Sequence, residues 1–333
     1  MGSGHILIAM FDVLMDIYTS TGYSEREAAF EIVEHNIHGL DIDQRAYQLA
    51  YFAVMMKGRG YNRRFFRGRD DVKPTPKVYA IAESNDISRS HLSLFGQSME
   101  AKQRETAKEQ MEYLLDTFKD GREYGSILNV EECDWKLLQD YVEDLDADGQ
   151  VTFENYGSEE TQKSLRLLIK IAKNLGQKYD AVVTNPPYMG ASNMNADLSK
   201  FIKDNYADYK SDFFSAFIVK CTHMAKITGY LGFLTPYVWM FIQSYEKLRN
   251  YLFTKTTIEK LIQFEYSAFE EATVPICTFV LKNSYVDKKG CYLRLTDFRG
   301  GMEVQRQKTL EAISNLDEPL PHCYTLKRFK RVP

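Results

Sequence analysis

The chain reads as an α/β protein, a doubly wound sheet of mostly parallel strands with a helical insertion. Three observations predict it. Short apolar runs alternate with amphipathic helical stretches from residue 1 to about 283. Acidic or Asn-Pro residues end several runs abruptly, as at strand carboxyl ends. Residues 88–178 break the alternation with helical patterns at 97–119, 131–143 and 159–176. At 333 residues, 44% apolar and 26% charged, the composition is that of a globular protein with more than one structural unit.

Taken in order, Gly2-Ser3-Gly4 runs into Ile6, Leu7, Ile8, Met10, Phe11, Val13, Leu14 and Ile17, a largely apolar helix behind a glycine turn. Folds of this kind admit a nucleotide-like cofactor at such turns, where glycine lets the backbone approach closely. Met-Gly-Ser is equally an expression leader. Ser24-Glu25-Arg26-Glu27 is a capping box opening a helix through Phe30, Ile32, Val33 and Ile37. The segment 37–43 reads as a strand ending in acids. Asp41 at its tip is placed to accept from ribose hydroxyls, Ile42 to pack on an adenine, and Asp43 to cap the helix through Ala46, Leu49, Ala50 and Ala53.

Residues 57–77 mix arginines and lysines with Tyr61, Phe65 and Phe66. A helix C-terminus with a solvated loop is preferred there over a track for a DNA backbone. Residues 77–82 form a third strand, leading to Asp86. Asp144 to Gly149 mimics the start of an EF-hand loop, but Asn155 occupies the twelfth position, where a bidentate glutamate belongs. An acidic turn is expected instead.

The most informative stretch is residues 179–188. Ala181, Val182 and Val183 look like a strand buried on both faces of a parallel sheet. Asn185-Pro186-Pro187-Tyr188 stops it, since prolines fix φ and carry no N–H. The corner suits methylation of a conjugated amino group, whose lone pair is delocalised. Asn185 Oδ1 and the Pro186 carbonyl supply two fixed acceptors that draw the nitrogen toward sp3 geometry. Tyr188 offers a face for an extruded base. A diproline turn bearing an exposed tyrosine is the bland alternative.

This motif resembles that of the S-adenosylmethionine-dependent amino-methyltransferases, above all the adenine-N6 DNA methyltransferases. With residues 2–7 and Gly39-Leu40-Asp41-Ile42-Asp43, the chain resembles the adenine-specific enzymes of phage-defence (BREX, PglX-like) and type II restriction-modification systems. The resemblance implies a Rossmann-like class I methyltransferase sheet, with S-adenosyl-L-methionine as cofactor and double-stranded DNA as substrate. Other defence-system subunits are implied as partners. Asn185, Pro186, Pro187 and Tyr188 would be catalytic; Gly2, Ser3, Gly4, Asp41, Ile42 and Asp86 would bind the cofactor, Asp86 through its adenine amino group. Relatives carry a strand before the glycines and a target-recognition domain after the core, so the chain is expected to be a fragment lacking both. A first strand would lie mid-sheet, and its loss would leave two interior edges unpaired.

Four segments are expected: 1–87, the first part of the core; 88–178, the insertion; 179–283, the catalytic part; and 284–333, the start of an extension. Polar residues 189–205 suggest a lid. Residues 210–217 open a helix, and strands follow at 229–236, 258–264 and 274–281. Phe269 is a candidate for the base pocket, and residues 292–295 are strand-like before the basic end at 327–331. Five scattered cysteines argue against a disulfide framework or zinc site and for a reducing cytoplasm, and no membrane span or signal peptide is visible. The net charge of −4 decides nothing about DNA, since local patches matter more. The acceptor alternatives are a protein glutamine amide or RNA, and a non-catalytic DNA- or cofactor-binding module is the rival from another class.

Overall fold

The computed structural model describes residues 1–69, 72–145, 157–266 and 274–314. The chain divides into two compact units, Met1–Gln177 and Lys178–Pro333. Most of the EF-hand-like loop, Phe269 and the basic end at 327–331 lie outside the described residues.

In the first unit, α1 (His5–Ser20) begins after Gly4, whose φ of 97° is left-handed. A Cβ on Gly4 would lie 2.9 Å from the Ala50 Cα, so this glycine is needed both for the turn and for close helix packing. The expected capping box is present. Ser24 accepts from the Glu27 N–H, and Glu27 reaches back to the Ser24 backbone, opening α2 (Glu25–Glu31). One π-turn, Ile32–Asn36, leads into β1 (His38–Asp41). Asp43 then caps α3 (Gln44–Tyr61) by accepting from the Arg45 and Ala46 N–H groups. β2 (Lys77–Ala80) pairs with β1 in parallel, from His38 opposite Lys77 to Asp41 opposite Ala80. Leu7, Phe11, Met15, Phe30, Ile32, Ile37, Val54, Phe65 and Val78 pack together as the core beneath these elements.

Among the described residues of 88–178 the helical patterns are realised as α4 (Ala101–Thr117), α5 (Gly121–Tyr124), α6 (Trp135–Glu143) and α7 (Ser158–Gly176). Its buried residues recur at helical spacing, Met111, Leu114 and Leu115 on α4 and Leu165, Leu168 and Ala172 on α7. In the stretch 57–77, Phe65 is buried, Lys57 pairs with Asp12 and Arg69 with Glu31.

The second unit holds a five-stranded mixed sheet in the order β3-β4-β6-β5-β7. Its strands are β3 (Tyr179–Thr184), β4 (Ala225–Pro236), β5 (Thr257–Gln263), β6 (Ile276–Lys282) and β7 (Cys291–Arg294). β3 runs parallel to β4 and β7 parallel to β5, whereas β6 is antiparallel to both of its neighbours. In the second unit's sheet β6 thus stands reversed between two strands that run the same way as each other. Its helices are α8 (Ala196–Asn205), α9 (Phe213–Met224), α10 (Glu246–Lys255) and α11 (Gly301–Ser314).

One expectation needs correction. β3 is not buried on both faces: its residues are exposed or half-exposed, and Val183 is 44% exposed. Among the described residues it has one ladder partner, β4, so its apolar run lies at a sheet edge. β1 likewise pairs only with β2. The polar stretch 189–205, read as a lid, contains α8, capped by Asn195 accepting from the Leu198 N–H.

Candidate active site

The catalytic candidates stand at the carboxyl end of β3. The strand's register with β4 stops at Thr184 opposite Phe233. Asn185 is exposed, Pro186 buried and Pro187 exposed, so the first proline anchors the corner while Asn185 faces solvent. Tyr188 is 39% exposed. Its phenolic oxygen lies 2.7 Å from the Asn185 side-chain oxygen as assigned and 3.1 Å from the Leu234 carbonyl on β4. Burial raises the phenol to about 12. Phe214 meets the Tyr188 ring edge to face, with centroids 6.4 Å apart, and itself stacks on Tyr245 at 5.6 Å.

The loop after Tyr188 is held by Asp212, which caps α9. Asp212 Oδ1 accepts from the Met189 and Phe214 N–H groups, each at 3.1 Å. The Phe213 N–H donates to the Met189 carbonyl at 2.9 Å. Burial raises the Asp212 carboxyl above its ordinary value despite these donors. Sequence reading placed a helix start here but not this clamp. An aspartate directly before the apolar Phe213 and Phe214 was the available signal. A cavity of about 440 Å³ lined by Lys178, His223 and Lys226 lies at the other, amino end of β3 and β4.

The cofactor candidates all belong to the first unit. Asp41 ends β1. The Gly2 N–H donates to its Oδ2 at 2.8 Å, the Met1 ammonium lies 3.1 Å from the same oxygen, and the Asp43 N–H donates to Oδ1 at 3.1 Å. Burial would raise this carboxyl, but the donors prevail and hold it below the usual carboxylate range. Gly2 has a left-handed φ of 58°, and a Cβ there would meet nothing within 4 Å, so the space beside it is open. Ser3 is exposed, its hydroxyl 3.1 Å from His5 Nδ1.

Ile42 is 54% exposed, an unusual place for isoleucine at a strand tip. Gly125 lies against it: φ is 61°, and a Cβ would fall 2.7 Å from Ile42 Cγ2. Nothing in the local sequence marked Gly125, because its partner is distant in the chain. Asp86 sits exposed in a turn beyond β2. Asn85 beside it exchanges two bonds with Asp120, one side chain to side chain at 2.6 Å and one from the Asp120 N–H at 2.8 Å. No cluster of metal-ligating side chains occurs among the described residues.

An acid-tipped β1, an Asn-Pro-Pro-Tyr corner ending β3 and a mixed sheet with one reversed strand define an α/β protein of the methyltransferase class. Residues 35–269 match the Eco57I restriction-modification methylases, and the chain belongs to that family. It is 37% identical over 348 residues to the adenine-specific methyltransferase PglX of Lacticaseibacillus casei, an alignment covering 100% of this chain and 27% of that protein. With the adenine-specific methyltransferase BrxX of Escherichia coli it shares 33% identity over 319 residues, 89% of this chain and 26% of the relative. The chain thus spans about a quarter of the length of these relatives. Among solved structures, a nuclease-deletion mutant of the Type ISP restriction-modification enzyme LlaGI, in complex with a DNA substrate mimic, aligns with a TM-score of 0.50 and 13% identity. That alignment covers 92% of this chain and 22% of the enzyme, a likeness of fold.

Proposed function

We propose that this chain is the catalytic core of an adenine-N6 DNA methyltransferase of a phage-defence or restriction-modification system. The observation that carries the reading is the corner itself: an exposed Asn185 on an anchored diproline, with a partly exposed tyrosine ring three residues on. The names of its 33–37% identical relatives support adenine as the target.

The chain's residues fit S-adenosyl-L-methionine. Asp41, kept ionised, has lone pairs for ribose hydroxyls; Ile42 offers an exposed apolar surface for an adenine; Gly2 leaves open space beside its backbone. Asp86 is assigned to the adenine amino group and Ser3 and Gly4 to the turn that supports the site. When bound, the cofactor supplies an electrophilic methyl group on sulfonium.

The protein's part is positioning and electrostatics. An adenine leaves the stack and lies against the Tyr188 ring. Its two amino hydrogens point at Asn185 Oδ1 and the Pro186 carbonyl, which localise the nitrogen lone pair for attack. The proline ring holds both acceptors still, so little reorganisation accompanies reaction. The amino nitrogen so held would take the methyl group that the cofactor supplies, leaving the thioether behind, and release one proton to solvent.

Transfer of labelled methyl from the cofactor to duplex DNA, RNA and protein tests this reading. Transfer to adenine in DNA is expected, abolished by Asn185→Ala with cofactor affinity retained in a calorimetric titration. Transfer surviving Asn185→Ala, or directed only at RNA or protein, would overturn it.

A further inference from the structure

We propose that the Tyr188 hydroxyl, and not only its ring, serves methyl transfer by fixing which end of the Asn185 amide faces the substrate, a role that rests on Asn185 accepting from the adenine amino group. The argument is a count of protons. The Tyr188 oxygen lies 2.7 Å from the terminal Asn185 atom assigned as oxygen and 3.1 Å from the Leu234 carbonyl. The phenol has one hydrogen, and its burial keeps that hydrogen on. A main-chain carbonyl can only accept. If the Asn185 oxygen also faced the phenol, two acceptors would compete for one proton, and one oxygen pair would be left in repulsive contact.

Turning the amide over satisfies every group. Asn185 Nδ2–H then donates to the phenolic oxygen, and the phenol donates to Leu234. The oxygen and nitrogen of a side-chain amide are told apart only by such networks. This orientation turns Oδ1 away from Tyr188, on an exposed residue, to where a substrate amino group can reach it. The backbone explains why the tyrosine is available. β3 continues the ladder only to Thr184 opposite Phe233, because Pro186 and Pro187 supply no N–H groups. Leu234, one residue further along β4, takes its donor from the Tyr188 side chain instead. Tyr188 therefore holds the corner to β4 and sets the amide in one step, and is a positioning residue through its hydroxyl.

Neutron diffraction from crystals of this chain exchanged into D2O tests the orientation on the wild type, without reference to activity. Two deuterons are expected on the Asn185 atom nearest Tyr188, and one on the phenol directed at Leu234. A bare oxygen facing Tyr188 would overturn the proposal. Tyr188→Phe tests the consequence, since it keeps an aromatic face and removes only the hydroxyl. The single-turnover rate is expected to fall about ten-fold, the scale of one lost hydrogen bond. Duplex affinity and the fluorescence of 2-aminopurine at the target position are expected to stay within about two-fold. An unchanged rate in Tyr188→Phe would sink the positioning role alone, whereas methyl transfer persisting in Asn185→Ala would sink the underlying assignment of Asn185.

Discussion

The Gly2 backbone N–H donates to Asp41 Oδ2 at 2.8 Å, joining the turn before α1 to the tip of β1 across 39 residues of chain. With the Asp43 N–H on the other oxygen, this orients the Asp41 carboxyl at the end of its strand.

Asp41 and Asp43 stand two residues apart and do different work. Asp41→Asn removes the charge and half of the acceptor capacity, so S-adenosylmethionine affinity should drop at least about ten-fold by calorimetry. Asp43→Ala loses the cap of α3 and should cost about 1 kcal/mol in urea denaturation while leaving that affinity unchanged. Equal effects of the two substitutions on binding would remove Asp41 from the cofactor site.

Asp212 ties the loop beyond Tyr188 to the start of α9. Asp212→Ala deprives both Met189 and Phe214 of their acceptor and should cost about 2 kcal/mol of stability. Methyl transfer should fall at least about ten-fold, because Met189 adjoins the catalytic corner and small displacements are costly. Asp212→Asn retains an accepting oxygen and should recover most of both properties. If Asp212→Ala loses stability but not rate, the clamp is structural only.

His38, at the start of β1, is kept below its ordinary pKa of 6.5, first by burial, against a hydrogen bond with Asn174 that raises it. The unfolded chain takes up the proton at higher pH than the folded one. Stability is therefore full above about pH 6.5 and declines as pH falls below it, by up to about 1.4 kcal/mol per unit. His223 is lowered for the same first reason and adds to the slope. Urea midpoints measured between pH 7.5 and 5.5 should fall, with a shallower fall in His38→Gln. A slope unaltered by that substitution would show that His38 carries none of it.

Much of the molecule was legible because its signals are local. The Ser24–Glu27 box, the Asp43 cap and the helix over 159–176 each need only a few neighbouring residues to act, and each appears as read. The Asn-Pro-Pro-Tyr corner was equally plain, since proline chemistry ends a strand whatever surrounds it. The glycine turn was read as room for a cofactor. At Gly4 the structure gives it a packing reason, the approach of Ala50, while Gly2 keeps the open flank.

What the sequence determined by itself was therefore the kind of element at each place and the chemistry its ends can offer. Tertiary structure alone decided which ends meet. It reversed β6 between β4 and β5, left the apolar β3 at an edge, set Gly125 against Ile42 and brought Tyr188 to the Leu234 carbonyl. Helix periodicity, caps and proline stops act over a few bonds, whereas ladder order and cross-chain contacts depend on packing between segments far apart in the chain.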